Sequence, residues 1–401
     1  MIHIERKQDC CGCSACIEIC PKKCISFNED EEGFLYPLVD LSTCIDCKLC
    51  ERVCPIINQK ESTTPIKVFA CKNKDEETRK SSSSGGVFSL LAEKVINNNG
   101  VVFGASFDDK WQVKHVYAET IEQLSALRMS KYVQSRMEDN FYKVKAFLKE
   151  GRQVLFVGTP CQIAGLNNYL KRKYDNLLTI DVICHGVPSP MVWKNYLNII
   201  KYNRDFTQKK DSSSSMSTES QIIALSFRDK RLGWKKFSFS VVLRDGQKQT
   251  ISLSHVLFED TYMRSFLGDL NLRPSCYQCC AKNGKSNSDI TLADYWGIEN
   301  KYPDFDDDNG VSLMIVHTKK GFKELDLSKL STIEVSLNDG VENNRSYYES
   351  VAEPHNRGSF FKRFKSNKES FDDIVNDLLR PSLKQRVKDK IKSYINIMHL
   401  L

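Results

Sequence analysis

The sequence lacks the two signals that direct a chain to or through a membrane. Its first ten residues, MIHIERKQDC, carry charges where a secretory signal peptide needs an apolar run. No later stretch approaches the roughly 18 apolar residues of a membrane-spanning helix. We therefore expect a cytoplasmic protein.

Two further signatures are missing. Lysine and arginine residues are interspersed with acidic residues instead of forming a basic stripe, so a nucleic-acid partner is not expected. The Gly-x-Gly-x-x-Gly fingerprint of dinucleotide-binding folds is also absent. Hydrophobic residues make up 41% of the 401 positions, which is ample for globular folding. A chain of this length is expected to form two or three domains.

Cysteine, in contrast, is abundant, with 16 residues. Thiols rarely form disulfides in a reducing compartment, so metal ligation is the leading explanation. Eight of them form two copies of the pattern C-x2-C-x2-C-x3-C-P, which is typical of 4Fe-4S ligation. In two-cluster ferredoxins the last cysteine of each run binds the other cluster. We therefore predict two clusters, one bound by Cys10, Cys13, Cys16 and Cys54 and the other by Cys44, Cys47, Cys50 and Cys20.

Zinc is the competing interpretation of these runs. Zinc sites favour paired C-x2-C units, whereas each run here is complete and followed by a proline, Pro21 or Pro55. Two clusters, each with a formal charge of about −2, would reduce the net charge from +7 to about +3. Cys11 and Cys24 fall outside the pattern and are interpreted as small buried hydrophobic residues.

Beyond residue 60 the pattern changes to alternating strands and helices. IKVFACK, VVFGASF, VKHVYAE, QVLFVG and LLTIDVIC predict strands. Helices are expected after SSSSGG, around IEQLSALRMSKYV and NFYKVKAFLKEG, and after TPCQIAG and HGVPSP. IIALSFRD, KFSFSVVLRDG and QTISLSH predict further strands, and the last forty residues are expected to be helical and basic. The predicted fold is an α+β ferredoxin-like head followed by an α/β domain, a β-rich extension and C-terminal helices.

A second set of cysteines lies in this later part. Cys161 in VGTPCQ and Cys184 in ICHGVPS follow predicted strands whose ends share one sheet edge, so the two thiols should lie close together. Cys276 and Cys279 follow at C-x2-C spacing, with Cys280 as a substitute. Four thiols from three segments could complete a third cubane. Two alternatives stay open: Cys161 as a low-pKa nucleophile at a helix N-terminus, and the C-x2-C pair as part of a structural zinc site.

The cysteine-rich head combined with SSSSGGVFSLLA, SKYVQS, VGTPCQ, CHGVPS and CYQCCAKNGKSNSDITLADYWG resembles the coenzyme F420 hydrogenase/dehydrogenase beta-subunit family over residues 1 to about 320. Members of this family carry FAD and iron-sulfur clusters, and the best-known ones exchange a hydride with the deazaflavin coenzyme F420. The resemblance implies that the α/β domain binds flavin, and it favours a third cluster. It divides the chain into a ferredoxin domain (1–60), N-terminal-like (65–205) and C-terminal-like (206–355) regions of that family, and a helical tail (356–401).

The flavin contacts rest partly on the residues and partly on the resemblance. Ser84, Gly85 and Gly86 lie between a predicted strand and helix, where small residues and exposed N–H groups can hold a phosphate. A helix N-cap explains these residues almost as well. The resemblance adds a charged group, a stacking ring and polar contacts, namely Lys131, Tyr132, Gln134, Ser135 and Thr159.

Four other residues near the predicted sites have two interpretations each. Asp294, Tyr295 and Trp296 could line the flavin pocket or end a buried strand. His185 is either a proton relay or, as is commoner, a structural histidine. No catalytic residue is identified from the sequence.

A flavin is also expected on chemical grounds, because clusters pass single electrons whereas organic substrates usually exchange a hydride. We therefore predict an FAD- and iron-sulfur-dependent oxidoreductase that connects a one-electron partner, such as ferredoxin, with a small-molecule hydride acceptor or donor. That substrate is coenzyme F420 or another organic compound, for example in polysaccharide biosynthesis. The alternative is a non-catalytic electron-transfer subunit that feeds a separate enzyme. A partner subunit or a homo-oligomer is compatible with both functions.

Overall fold

The computed structural model describes residues 1–202, 220–244 and 250–380. Most of the low-complexity segment 211–220, the turn at 245–246 and the predicted amphipathic helix beyond 380 lie outside the described residues. None of the helices in the described part of the chain combines the length and apolar character needed to cross a bilayer.

The strands are, in chain order, β1 (Ile25–Glu29), β2 (Leu35–Val39), β3 (Lys67–Asn73), β4 (Val101–Phe107), β5 (Val113–Ala118), β6 (Val154–Gly158), β7 (Leu177–Val182), β8 (Gln221–Asp229), β9 (Ser238–Arg244), β10 (Thr250–Val256), β11 (Ile290–Asp294), β12 (Ser312–Val316) and β13 (Leu330–Glu334). The helices are α1 (Ala15–Glu18), α2 (Leu49–Val53), α3 (Glu76–Lys80), α4 (Val87–Asn97), α5 (Ile121–Leu124), α6 (Asn140–Lys149), α7 (Pro160–Leu170), α8 (Pro190–Tyr202), α9 (Thr261–Leu267), α10 (Ile298–Lys301), α11 (Lys319–Glu324), α12 (Leu337–Val341), α13 (Arg357–Ser366) and α14 (Phe371–Leu378).

The body of the protein is built on one large mixed sheet with the strand order β13-β3-β12-β11-β7-β6-β4-β5. Strands β11, β7, β6 and β4 run parallel at its centre, and the strands on both sides pair antiparallel. Strands β8, β9 and β10 form a separate antiparallel sheet. The mixed α/β architecture agrees with the prediction, and the sheet joins strands from either side of residue 206.

The helices pack on this sheet through apolar faces that the sequence shows. In α4, Val87, Leu91 and Val95 recur every four residues and are all buried. Helix α7 begins with a capping box, in which the side chains of Thr159 and Gln162 each bond the other residue's backbone N–H. This cap fixes the start of α7 directly after β6.

One predicted helix is wrong beyond its first two turns. The segment IEQLSALRMSKYV forms only α5 and a 3-10 turn, Ser125–Leu127. Met129 then adopts a left-handed backbone (φ 68°), and the N–H of Ser130 donates to Ser83 Oγ at 2.8 Å. Tertiary hydrogen bonding to the four serines at residues 81–84, which we call the SSSS loop, therefore overrides the local helical pattern.

The head consists of the β1–β2 hairpin, two cysteine loops and the short helices α1 and α2. It packs closely on α7, where a Cβ at Gly165 would lie 2.9 Å from Cys13 Sγ. A buried ion pair between Glu32 of the hairpin and Arg357 of α13 also joins the head to the body.

Candidate functional site

The first predicted ligand set of the head is brought together in space, and we call it the inner set. Cys16 lies near Cys10 and Cys54. Its pKa is raised mainly by burial and, to a smaller extent, by the charges of these two thiols. Cys13 lies near Cys16 and Cys54. The left-handed backbone of Gly12 (φ 71°) turns the loop between the first two ligands. The inner set therefore includes Cys54 from the second run, as the exchange of last cysteines requires.

The second predicted set, the outer set, lines an open cavity of about 320 Å³. Its members are Cys20, Cys44, Cys47 and Cys50. The thiol of Cys47 belongs to an exposed residue, unlike those of the inner set. Cys24, interpreted from sequence as a bystander, also lines this cavity, with its sulfur 3.4 Å from Cys20 Sγ.

The cysteines of the body converge on a second cavity, of about 570 Å³, which we call the body cavity. Strands β6 and β7 are parallel neighbours, so the segments that follow them carry Cys161 and Cys184 to one sheet edge. A 3-10 helix, Pro274–Gln278, brings the C-x2-C segment to the same place. Cysteines from four segments line the cavity, namely Cys11, Cys161, Cys184, Cys276, Cys279 and Cys280.

Hydrogen-bond donors lie beside the cysteines of the body cavity. The N–H of Val187 donates to Cys276 Sγ at 3.4 Å, and the buried ammonium of Lys282 donates to the backbone oxygen of Cys184. Burial raises the pKa of Cys184 to about 12, so this thiol is protonated at neutral pH.

Two observations concern the alternatives for these cysteines, an activated nucleophile at Cys161 and a zinc site. Contact with the Cys11 thiol, together with burial, raises the pKa of Cys161, which is the opposite of an activated nucleophile. Within the described ranges, no three His, Cys, Asp or Glu side chains gather around one point as a single metal ion requires. In a cubane each thiolate binds its own iron.

His185 also lines the body cavity, and its Nε2 lies 2.6 Å from Asp269 Oδ1. Its ring packs edge-on against Phe266, with the ring centroids 5.2 Å apart. The histidine is thus held by a carboxylate and an aromatic ring beside the cysteines.

The predicted phosphate cradle at SSSSGG is largely occupied by the protein itself. The N–H of Gly85 donates to Ser312 Oγ at 2.9 Å, and a Cβ at Gly85 would lie 2.3 Å from the oxygen of Cys71. The hydroxyl of Ser84 donates to the oxygen of Val311. Gly86 has the left-handed backbone (φ 85°) of a residue that starts α4. Gly85 therefore serves close packing on the sheet, and its amide is not free for a phosphate.

The remaining predicted flavin contacts do not lie together in the structure. The ammonium of Lys131 donates to the oxygens of Arg128 and Met129, and burial lowers its pKa to about 7. The ring of Tyr132 stacks on Phe266, with centroids 5.0 Å apart.

Gln134 and Thr159 instead line the body cavity. The hydroxyl of Ser135 is buried and bonds His115 Nδ1 at 2.7 Å. Because the other ring nitrogen of His115 bonds the oxygen of Val157, Ser135 is committed to the core of the body.

A cluster that sequence reasoning missed lies beside the SSSS loop. The buried guanidinium of Arg228 donates to Asp294 Oδ1 at 2.9 Å and to the oxygen of Ser83 at 3.2 Å. The indole of Trp234 donates to the same carboxylate oxygen and stacks on Trp296, with centroids 4.9 Å apart. The sequence named Asp294 and Trp296, but no local pattern marks Arg228 or Trp234.

Two arginines near this loop have donors without acceptors. Arg128 Nε and Arg228 Nε are both buried and lack a hydrogen-bond partner among the described residues. Buried polar groups are normally satisfied, and orphaned guanidinium donors fit an anionic group.

Comparison with known relatives supports an iron-sulfur head. Residues 9–56 match the model of a 4Fe-4S dicluster domain. An uncharacterized ferredoxin of Methanocaldococcus jannaschii is 35% identical over 77 residues, which are 19% of this chain and 92% of that protein. A 7Fe ferredoxin of Hydrogenibacillus schlegelii is 42% identical over 43 residues, 11% of this chain and 49% of its own length.

The body matches two models of one family. Residues 68–140 match the N-terminal part, and residues 151–336 the C-terminal part, of the coenzyme F420 hydrogenase/dehydrogenase beta subunit. A chain of the F420-reducing NiFe hydrogenase complex from Methanosarcina barkeri aligns with a TM-score of 0.44 and 15% identity, covering 77% of this chain and 95% of that one. With more than half of its residues matched, the chain belongs to the coenzyme F420 hydrogenase/dehydrogenase beta-subunit family and carries a 4Fe-4S dicluster domain in its first 56 residues.

Proposed function

We propose that this chain is an iron-sulfur flavoprotein oxidoreductase that carries electrons between a one-electron partner and an organic substrate. The observation that carries the proposal is the contact between the head and the body cavity. Cys11, which lies between the inner-set residues Cys10 and Cys13, lines the same cavity as the body cysteines. The redox sites of the head and the body are thus adjacent in one chain. A ferredoxin or another redox protein is the proposed partner, and a reducing cytoplasm suits so many free thiols.

In this proposal Cys161, Cys184, Cys276 and Cys279 hold a third 4Fe-4S cluster. The support is the convergence of three segments on one cavity, together with the N–H donor of Val187 and the nearby ammonium of Lys282. N–H···S hydrogen bonds and nearby positive charge both stabilise an anionic cluster. The inner and outer sets hold the two clusters of the head.

FAD is the proposed link between single electrons and hydride, because a flavin handles both. Its phosphates would be held near the SSSS loop by the orphaned donors of Arg128 and Arg228, with Lys131 nearby. Tyr132 and Trp296 offer aromatic surface next to this site. Gln134 and Thr159 belong to the body cavity, and Ser135 orients His115 in the core.

Flavin retention tests this site directly. We expect Arg228→Met to lower the FAD content of anaerobically purified protein at least tenfold while the iron content stays unchanged. Arg231→Met is the matched control, because Arg231 follows the same strand but is exposed and paired with Asp229. Wild-type FAD content in Arg228→Met, or equal losses in both variants, would exclude the site.

Turnover by the purified chain distinguishes an enzyme from an electron-transfer subunit. With dithionite or reduced ferredoxin as donor, the proposal expects the chain alone to reduce a soluble acceptor, with coenzyme F420 the first to be tried and oxidised sugar compounds next. Reduction of bound clusters without turnover of any acceptor would favour the alternative, a subunit that feeds a separate catalytic chain. Because the family is described as a beta subunit, a partner subunit is compatible with both outcomes.

A further inference from the structure

One buried arginine lies between the inner set and the body cavity. Arg273 precedes the C-x2-C segment and is 0% exposed. Its Nε donates to the oxygen of Cys10 at 2.7 Å, and its Nη2 lies 3.5 Å from Cys10 Sγ. The guanidinium also lies over the ring of Tyr36, 4.4 Å from its centroid. A residue of the body therefore reaches the first cysteine of the head.

Arg273 differs from the other buried arginines in its charge partner. Arg79, Arg228 and Arg357 each form an ion pair with a carboxylate. Across the parts of the chain that the structure describes, the hydrogen-bond acceptors of Arg273 are backbone oxygens, an amide oxygen and a thiol, and none is a carboxylate. A buried charge without a counter-charge is strongly unfavourable. The anion that balances Arg273 has to come from the cysteine sites.

The surroundings hold this cation in place. A Cβ at Gly12 would lie 2.9 Å from Arg273 Nη1, so the glycine of the cysteine loop allows the guanidinium to approach. Gln134 Oε1 accepts from Nη1 at 3.0 Å, and the oxygen of Leu35 accepts from Nη2 at 2.9 Å. A guanidinium does not lose its proton in proteins, so Arg273 stays charged.

We propose that Arg273 is the fixed counter-charge of the inner cluster and raises the reduction potential of that cluster. This inference rests on the cluster assignment in the proposed function. Reduction adds one negative charge to a cluster, and a nearby buried cation stabilises the more negative state. With its potential raised in this way, the oxidised inner cluster would accept one electron from the reduced outer cluster more readily, without proton transfer. Arg273 is a positioning residue that directs electrons from the exposed side of the head toward the body.

Arg357 provides a matched control. It is also a buried arginine of the body that contacts the head, and it forms a bidentate ion pair with Glu32 at 3.0 and 2.6 Å. Because Glu32 neutralises its charge, Arg357 should support the structure of the head without changing cluster potentials. The two arginines separate the electrostatic role from the structural one.

The test is an anaerobic redox titration of the full chain, followed by electron paramagnetic resonance, with Cys13→Ser used to identify the inner-cluster signal. We expect Arg273→Gln to shift the one-electron equilibrium between the two head clusters at least tenfold toward the outer cluster, which corresponds to about 59 mV. Arg273→Lys should retain most of the wild-type distribution, and Arg357→Gln should leave it unchanged. A shift of less than twofold in iron-replete Arg273→Gln, or an equal shift in Arg357→Gln, would overturn the proposal.

If Arg273→Gln fails to retain iron, Gln134→Glu decides the question. This substitution keeps the size of the side chain and places a carboxylate beside Arg273 Nη1, which neutralises the cation without removing it. A shift toward the outer cluster supports the proposal, and an unchanged equilibrium overturns it. Retention of all iron by Cys13→Ser would instead show that the inner-set assignment itself is wrong.

Discussion

The two groups of cysteine sites in this protein are built in different ways. In the head, the eight predicted cysteine ligands lie between residues 10 and 54, and two loops with the same spacing supply both sets. In the body, Cys161 and Cys276 are more than 100 residues apart and meet only because strands, helix starts and a 3-10 helix deliver them to one edge of the sheet. Head sites therefore depend on local backbone geometry, whereas the body cavity depends on the whole fold.

This difference has consequences for how each site fails. A lesion in the sheet should remove the body site and spare the head, while a change at the contact between them should disturb the inner set and spare the outer set. The following substitutions are chosen to break or sharpen this contrast.

The largest effect is expected from Gly85→Ala. A Cβ there would lie 2.3 Å from the oxygen of Cys71 and 2.7 Å from the nitrogen of Ser312, which are backbone atoms of two paired strands. Overpacking of this kind typically lowers the free energy of unfolding by about 1–3 kcal/mol, and backbone neighbours place this site at the upper end. Chemical unfolding should show the loss, and the iron bound by the body should be released before that of the head.

Gly358→Ala is the control for this substitution. Gly358 lies in α13, and no atom lies within 4 Å of the position that a Cβ would take there, so the alanine should be neutral or stabilise the helix by up to about 1 kcal/mol. If Gly85→Ala unfolds at the same denaturant concentration as Gly358→Ala, the packing argument fails. Simultaneous loss of head and body iron would contradict the independence of the two sites.

A smaller and more local effect is expected from Gly165→Ala in α7. The new Cβ would lie 2.9 Å from Cys13 Sγ, but the higher helix propensity of alanine offsets part of the cost, leaving a net loss of about 1 kcal/mol. The resonance signal of the inner cluster should change while that of the outer cluster does not. Equal changes in both signals would show that the head responds as a unit.

The last prediction concerns acid sensitivity, which should reside in the body. Burial lowers the pKa values of His115 and His317 to about 4, below the value near 6.5 of the unfolded chain. Between pH 6.5 and 4 the unfolded state binds more protons, so stability decreases as the pH falls, by at most about 1 kcal/mol per pH unit for each histidine.

We expect His115→Gln to reduce the slope of unfolding free energy against pH between pH 7 and 5. His3→Gln, at an exposed position in the head, is the control and should retain the wild-type slope. A wild-type slope in His115→Gln would mean that other groups dominate the acid sensitivity.

The same contrast explains what the sequence could reveal. The ferredoxin cysteines, the parallel strands before Cys161 and Cys184, and the start of α4 are local patterns, so the mixed α/β fold and the head could be predicted. The functions of Gly85 and Ser135 could not be predicted, because their hydrogen-bond partners, Ser312 and His115, come from distant strands. The prediction of a helix beyond Leu127 was wrong for the same reason, because the chain there forms a hydrogen bond with the SSSS loop.

The burial and the charge partners of the arginines could not be predicted from the sequence either. Nothing in the letters around Arg228 or Arg273 reveals that these side chains are buried, or that only one of them has a carboxylate partner among the described residues. The one local hint is that Arg273 lies three residues before Cys276, the first cysteine of the C-x2-C segment. The charge balance of such residues becomes visible only when the fold brings the segments together.

The central claim is that the body cavity holds a cluster adjacent to those of the head, and the Cys276→Ser/Cys279→Ser variant tests it most directly. At four irons per cubane, wild-type protein should contain about twelve irons and the variant about eight, and the reduced variant should lose the magnetic coupling attributed to the third cluster. Cys71→Ala, which changes a buried cysteine of β3 away from the cavity, should retain all twelve. An iron content near eight in both the wild type and the double variant, with identical resonance spectra, would contradict the account.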